Sequence, residues 1–262
     1  MAWLKLTSEA LYLMKGGTNL FIDKVDLRDH NSEQEELILD VPRKWFQRGD
    51  IPKTMVIDVG STEKPEKIID TAFDSAAVFS KVVKRADWQA AAPTSRFEIV
   101  DRPNFIVIHH TDDANNSSNG TLEGAKTITK GIQGFHMGSE RRWSDIGYNF
   151  LNTIGGTLLE GRSDSLAEAI KGNSVRGAHA ATDNGNRSPG VANEGNFSVN
   201  KTMPNEQWES LVDLCAALCA SCDIDPANIK GHRDFVSTTC PGDWLYQQLP
   251  RLRDRVAQRL AQ

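Results

Sequence analysis

Residues 105–110 read FIVIHH, an unbroken apolar run of strand length that ends in two histidines. A run this short and continuous fits a strand buried inside a sheet. The histidines stand at its C-terminal end, where side chains emerge from a sheet into a cleft. Because side chains alternate across a strand, His109 and His110 point to opposite faces, so at most one of them serves a given site. Taken alone, such a histidine is either a structural hydrogen-bonding residue or a ligand.

The elements around this strand set the fold class. LEGAKTITKGIQGFHM (122–137) carries helical spacing, and IGYNFLNTI (146–154) and GTLLEG (156–161) read as two strands joined at Gly155-Gly156. SPGVANEG (188–195) is a further short strand, and IKGHRDF (229–235) a strand running into a loop. Two amphipathic helices close the chain, NEQWESLVDLCAALCASC (205–222), opened by a Pro204-Asn205 start signal, and WLYQQLPRLRDRVAQRLA (244–261). This order predicts an α/β (α+β) fold with a mixed central sheet flanked by helices.

Residues 1 to about 60 differ in kind. Short apolar segments such as AWLKL, ALYLM, LFIDKV, ELILDV and TMVIDV are broken by Gly, Asn, Asp and Pro, which predicts a smaller β-rich domain. Charged GSTEKPEK (60–67) and the weakly helical IIDTAFDSAAVFSKVV (68–83) follow. The expected organisation is a β-rich domain at 1–70, a linker and lead-in at 71–95 and the larger α/β domain at 96–262. Trp3, Tyr12 and Trp45 are either sugar-stacking platforms or core aromatics.

Composition excludes several classes. With 30 basic against 35 acidic residues, a net charge of -5 and no basic stripe, nucleic acid is not the expected partner. No run approaches membrane-spanning length. The N-terminal stretch lacks the continuous apolar centre of a secretory signal, so synthesis in a cytoplasm is expected. Cys215, Cys219 and Cys222 share one face of a helix and read as core residues rather than a disulfide framework or a metal cluster.

The remaining cysteine lies in GHRDFVSTTCPGD (231–243), where one loop can bring His232 and Cys240 to the same point. A catalytic zinc site needs about three protein ligands of N, S or O type with a fourth position open. His232 and Cys240 with a histidine from the 105–110 strand would meet that need, whereas a closed structural site would need a second close Cys or His pair. Asp234 is either a partner orienting a ligand histidine or a loop ion pair with Arg233. His136, within the helical pattern, reads as structural. No HExxH helix is present.

Seven pieces, in order over roughly 170 residues, resemble the zinc-dependent N-acetylmuramoyl-L-alanine amidases, a family shared by phage amidase lysozymes, bacterial cell-wall amidases and animal peptidoglycan recognition proteins. They are RADWQAAAP (85–93), FIVIHHT (105–111), IQGFHMGSERRWSDIGYNFL (132–151), GTLLEGR (156–162), GAHA (177–180), NRSPGVANEGNF (186–197) and GHRDFVSTTCPGD. The resemblance selects His109 over His110 and implies His109, His232 and Cys240 as ligands of Zn2+. It implies Tyr148 as the tyrosine over the scissile carbonyl. Thr238 falls where members carry either lysine or threonine, and so becomes a catalytic candidate. His179, Arg162 and Asn186 become candidate substrate contacts. The implied partner is peptidoglycan or a muropeptide, cut at the amide between N-acetylmuramic acid and L-alanine by a catalytic domain at 96–262, with the 1–70 domain a candidate wall-binding unit. Action on the wall after release or export, or on cytoplasmic muropeptides, is implied with it; a monomer is expected. The alternative is a recognition module that binds without cutting; such relatives characteristically lose the cysteine that is present here as Cys240.

Overall fold

The computed structural model describes residues 73–113 and 117–261 with their side chains, and in the first 58 residues the backbone of six strands. The chain divides into two compact units, Met1–Asp70 and, in the main, Thr71–Leu260. In the first unit β1 (Trp3–Leu6), β2 (Leu11–Lys15) and β3 (Thr18–Ile22) form one antiparallel sheet. A second antiparallel sheet holds β4 (Asp29–Asn31), β5 (Glu36–Asp40) and β6 (Thr54–Asp58). The side chains of Trp3, Tyr12 and Trp45 lie outside the described residues.

The second unit begins with helix α1 (Ser75–Phe79), started by Asp74, whose Oδ1 accepts from Ala77 N at 3.0 Å. A 3-10 turn, Arg85–Trp88, carries the RADW motif. Strand β7 (Ile99–Asp101) and the FIVIHH strand β8 (Ile106–His110) follow, then helix α2 (Leu122–Met137), the segment that showed helical spacing. Thr121 caps it by accepting from Gly124 N at 3.0 Å. Next come β9 (Phe150–Asn152), β10 (Leu158–Glu160), α3 (Ser165–Ile170), β11 (Asn173–Val175), α4 (Asp183–Asn186) and β12 (Gly190–Asn193). The chain ends with α5 (Asn205–Cys222), β13 (Ile229–Gly231) and α6 (Asp243–Leu260).

The central sheet has the order β10-β9-β12-β8-β13 and is mixed: β9, β12, β8 and β13 pair in parallel, and β10 returns antiparallel to β9. At the turn between β9 and β10, Gly156 adopts φ +74°, and a Cβ there would lie 2.7 Å from the Glu206 carbonyl oxygen, so glycine is required on both counts. A separate two-stranded sheet pairs β7 with β11. These strands are three residues each, too short for a period to stand out.

Alternation along the strands divides the core. Ile106, Ile108, Phe150 and Val191 join Trp208, Leu211, Leu214 and Leu218 of α5 and Leu245, Leu249 and Leu252 of α6 in the larger cluster. Cys215, Cys219 and Cys222 belong to this cluster, all free and buried. The opposite face holds a smaller cluster of Leu151, Leu159 and Ala192 with Ala125 of α2, Ile146 and Trp88. Trp88 is fixed there by its indole N–H, which donates to the Glu160 carbonyl at 2.9 Å. Arg85, from the same motif, forms an ion pair at 3.0 Å with Asp145, which is fully buried. The Asp145 carboxylate also accepts from Gln133 Nε2, Ile146 N and Ser163 N. One carboxylate thus joins the lead-in, α2 and the segment before β9.

Candidate metal centre

His109 leaves β8 on the face of the smaller cluster, beside Ala192 of the neighbouring strand. His110 leaves on the other face, where its Nδ1 accepts from Phe197 N at 3.2 Å. His232 follows β13 directly, at the start of a 3-10 turn, His232–Asp234. Its strand is the parallel neighbour of β8, so the two rings meet with centroids 4.5 Å apart. Cys240 comes from the loop before α6, and its Sγ lies 3.6 Å from His109 Nδ1. Ligand atoms of His109, His232 and Cys240 all fall within 4.8 Å of one another.

The donor set fits zinc. Tetrahedral bonds of about 2.3 Å to sulfur and 2.1 Å to nitrogen place S and N about 3.6 Å apart, the separation found between Cys240 and His109. Both ring nitrogens of His232 are buried without a hydrogen-bond partner, a costly state that a metal ligand would relieve. Burial, followed by the neighbouring His179 and His232, holds His109 well below the usual imidazole pKa, so the ring is neutral and able to ligate. Burial also pushes the Cys240 thiol up to about 12, so only a cation at this point makes it a thiolate near neutrality.

The loop is held by residues that motif reading placed elsewhere. Arg233 pairs with Asp243 at 2.8 Å and donates to the Thr239 and Cys240 carbonyls. Asp234 neither orients His232 nor pairs with Arg233; its carboxylate accepts from Gly231 N at 2.8 Å and from the Tyr246 hydroxyl at 2.6 Å. Backbone amides at the start of a tight turn compete for the nearest carboxylate, and here Gly231 N takes that of Asp234. Thr238 Oγ1 accepts from Cys240 N at 3.2 Å.

Tyr148 stands beside the centre, its ring 5.2 Å from that of His109. Burial raises its phenol pKa, so it is a neutral hydroxyl donor at physiological pH. Behind it His136 accepts from Gly147 N at 3.1 Å and stacks near Trp143, with ring centroids 4.6 Å apart. Arg141 lies over both Trp143 and the exposed Phe135, making a cationic and aromatic rim. Sequence reasoning passed over this rim, although the spacing Phe135, Arg141, Trp143 around a helix end was visible.

Of the candidate substrate contacts, His179 and Arg162 are buried. Arg162 donates to the Ile146 and Arg176 carbonyls, both at 2.9 Å, and covers the Phe97 ring. Asn186 Oδ1 accepts from the amides of His179 and Ala180. His179 Nδ1 lies 3.0 Å from His109 Nε2, against the candidate centre itself.

Comparison with known proteins agrees with this architecture. The family model described as N-acetylmuramoyl-L-alanine amidase matches residues 100–243, more than half of the chain. Peptidoglycan-recognition protein SC2 of Drosophila simulans is 33% identical over 169 residues, covering 64% of this chain and 84% of that protein. Among solved structures, wild-type Drosophila PGRP-LB is similar with a TM-score of 0.54 and 29% identity over 64% of this chain and 91% of that one. Peptidoglycan recognition protein-LE, solved in complex with tracheal cytotoxin, a monomeric diaminopimelic acid-type peptidoglycan, is similar with a TM-score of 0.56 and 25% identity over 66% of this chain and 94% of that one. By its motifs, its mixed sheet and this match, the chain belongs to the N-acetylmuramoyl-L-alanine amidase family, the type 2 amidases and peptidoglycan recognition proteins.

Proposed function

We propose that this protein is a zinc-dependent N-acetylmuramoyl-L-alanine amidase that hydrolyses the amide between N-acetylmuramic acid and L-alanine in peptidoglycan or its muropeptides. The observation that carries this reading is the convergence of His109 Nδ1, His232 and Cys240 Sγ, three donors of the right kind which, among the described residues, no fourth cysteine, histidine or carboxylate joins. Zinc held by these three residues would polarise the scissile carbonyl and lower the pKa of a water to about 7.

The chain's own groups supply the rest. The neutral Tyr148 hydroxyl donates to the carbonyl oxygen as it gains charge, and the Thr238 hydroxyl, whose oxygen accepts from Cys240 N, keeps its hydrogen for a second such bond. Phe135, Arg141 and Trp143 offer an apolar and cationic wall to an anionic glycopeptide. The relatives' names and the tracheal cytotoxin complex support a muropeptide as ligand. They also support a second reading, recognition without cleavage, against which the presence of Cys240 in the donor set weighs.

Incubation of the purified protein with intact sacculi and with soluble muropeptides, with and without a chelator, separates the two. New L-alanine amino termini, lost on chelation and restored by zinc, are expected. Tight binding with no new termini under any metal condition would leave the recognition module.

A further inference from the structure

His179 sits between two groups whose hydrogen-bonding roles are fixed or constrained. Its Nε2 lies 3.1 Å from the Ser188 carbonyl oxygen, which can only accept, so Nε2 carries the hydrogen. A second ring hydrogen, on Nδ1, would force His109 Nε2 to accept and so put the His109 hydrogen on the Nδ1 that faces the donor cluster; with that Nδ1 as a ligand atom, the His179 ring is neutral and has one bare nitrogen. That nitrogen is Nδ1, 3.0 Å from His109 Nε2, which must then be the donor. His109 is left with its lone pair on Nδ1, the atom 3.6 Å from Cys240 Sγ.

The ring is also held in place. A Cβ at Gly177 would come within 2.7 Å of His179 Nε2, and one at Gly190 within 2.6 Å, so two glycines enclose the imidazole. Asn186 fixes the backbone at the same residue by accepting from His179 N at 2.8 Å and Ala180 N at 2.9 Å.

We propose that His179 is a positioning residue of the metal centre: it accepts the Nε2 hydrogen of His109, donates to Ser188, and so fixes the tautomer in which His109 Nδ1 is the ligand atom. This rests on the zinc reading above and assigns His179 to the metal rather than to the substrate. Partners of this kind orient a ligand imidazole and raise its basicity.

Two measurements test it. Long-range 1H–15N correlation spectra of the zinc-loaded, 15N-histidine-labelled protein should show His179 protonated on Nε2 and His109 on Nε2; His179 protonated on Nδ1 would overturn the proposal. Zinc affinity by chelator competition should fall about 10- to 100-fold in His179→Ala. It should recover in large part in His179→Gln, whose amide can accept from His109 and donate to Ser188. Gly190→Ala, which drives a methyl group into the ring, should weaken zinc binding as well. Unchanged zinc affinity in a folded His179→Ala, with KM alone raised, would make His179 a substrate contact and refute the proposal while leaving the amidase reading intact. A wild-type protein that binds no zinc would remove that reading itself. Should His179→Ala fail to fold, the wild-type spectra still decide.

Discussion

His109 and His110 are consecutive residues of one strand, and the two faces of the central sheet treat them differently. On the α5 face His110 is an accessory to packing: it accepts from Phe197 N beside a layer of leucine, isoleucine and tryptophan. On the α2 face His109 meets His179, His232, Cys240 and Tyr148 within contact distance. The larger core supplies the rigidity, and the smaller one leaves room for a polar cluster at its edge. Burial lowers the pKa of both imidazoles, so it is the neighbours, not the burial, that separate a packing histidine from a candidate ligand.

The largest expected effects fall on the α2 face. His232→Ala and Cys240→Ser should each lose nearly all bound zinc, read by elemental analysis of the purified protein, and with it amide cleavage. On the α5 face, Leu214→Ala should destabilise the fold by about 2–5 kcal/mol in denaturant unfolding, because Leu214 is fully buried. Zinc stoichiometry of the folded fraction should be unchanged there, and a loss of metal would mean the faces are not separable. Tyr148→Phe keeps the ring and removes the donor. It should lower kcat on the order of 10²–10³-fold with zinc retained.

Acid should act on the α2 face through His136. Its pKa is about 4 in the folded protein, lowered first by burial, against about 6.5 unfolded. The folded state therefore binds fewer protons between these values. The stabilisation is complete above pH 6.5 and is lost as pH falls towards 4, by on the order of 3 kcal/mol. Unfolding free energies across this range should be flatter in His136→Gln. The smallest effect is expected at His110: His110→Ala leaves Phe197 N without its acceptor, costing about 1–3 kcal/mol, and keeps the metal. Zinc loss in this variant would reverse the roles of the two histidines.

Much of the molecule was legible where a local pattern spans several residues. FIVIHH, the helix at 122–137 and the two closing helices stand in the sequence as they do in the fold; strand alternation put His109 and His110 on opposite faces, and the family resemblance chose between them. Less legible were features made by contacts distant in sequence. The β7–β11 pair joins two segments of three residues each. His179 reaches His109 across 70 positions, and no motif records which nitrogen faces which. For Asp234 the local sequence offered a ligand histidine or Arg233 as partner, but its carboxylate takes the turn amide and the Tyr246 hydroxyl, and Arg233 takes Asp243.

The proposed chemistry rests on a zinc ion held by two imidazoles and one thiolate. Zinc K-edge X-ray absorption of the loaded protein tests it directly. One sulfur at about 2.3 Å with nitrogen or oxygen neighbours at about 2.0–2.1 Å is expected. A coordination shell without sulfur, or with two or more, would contradict it.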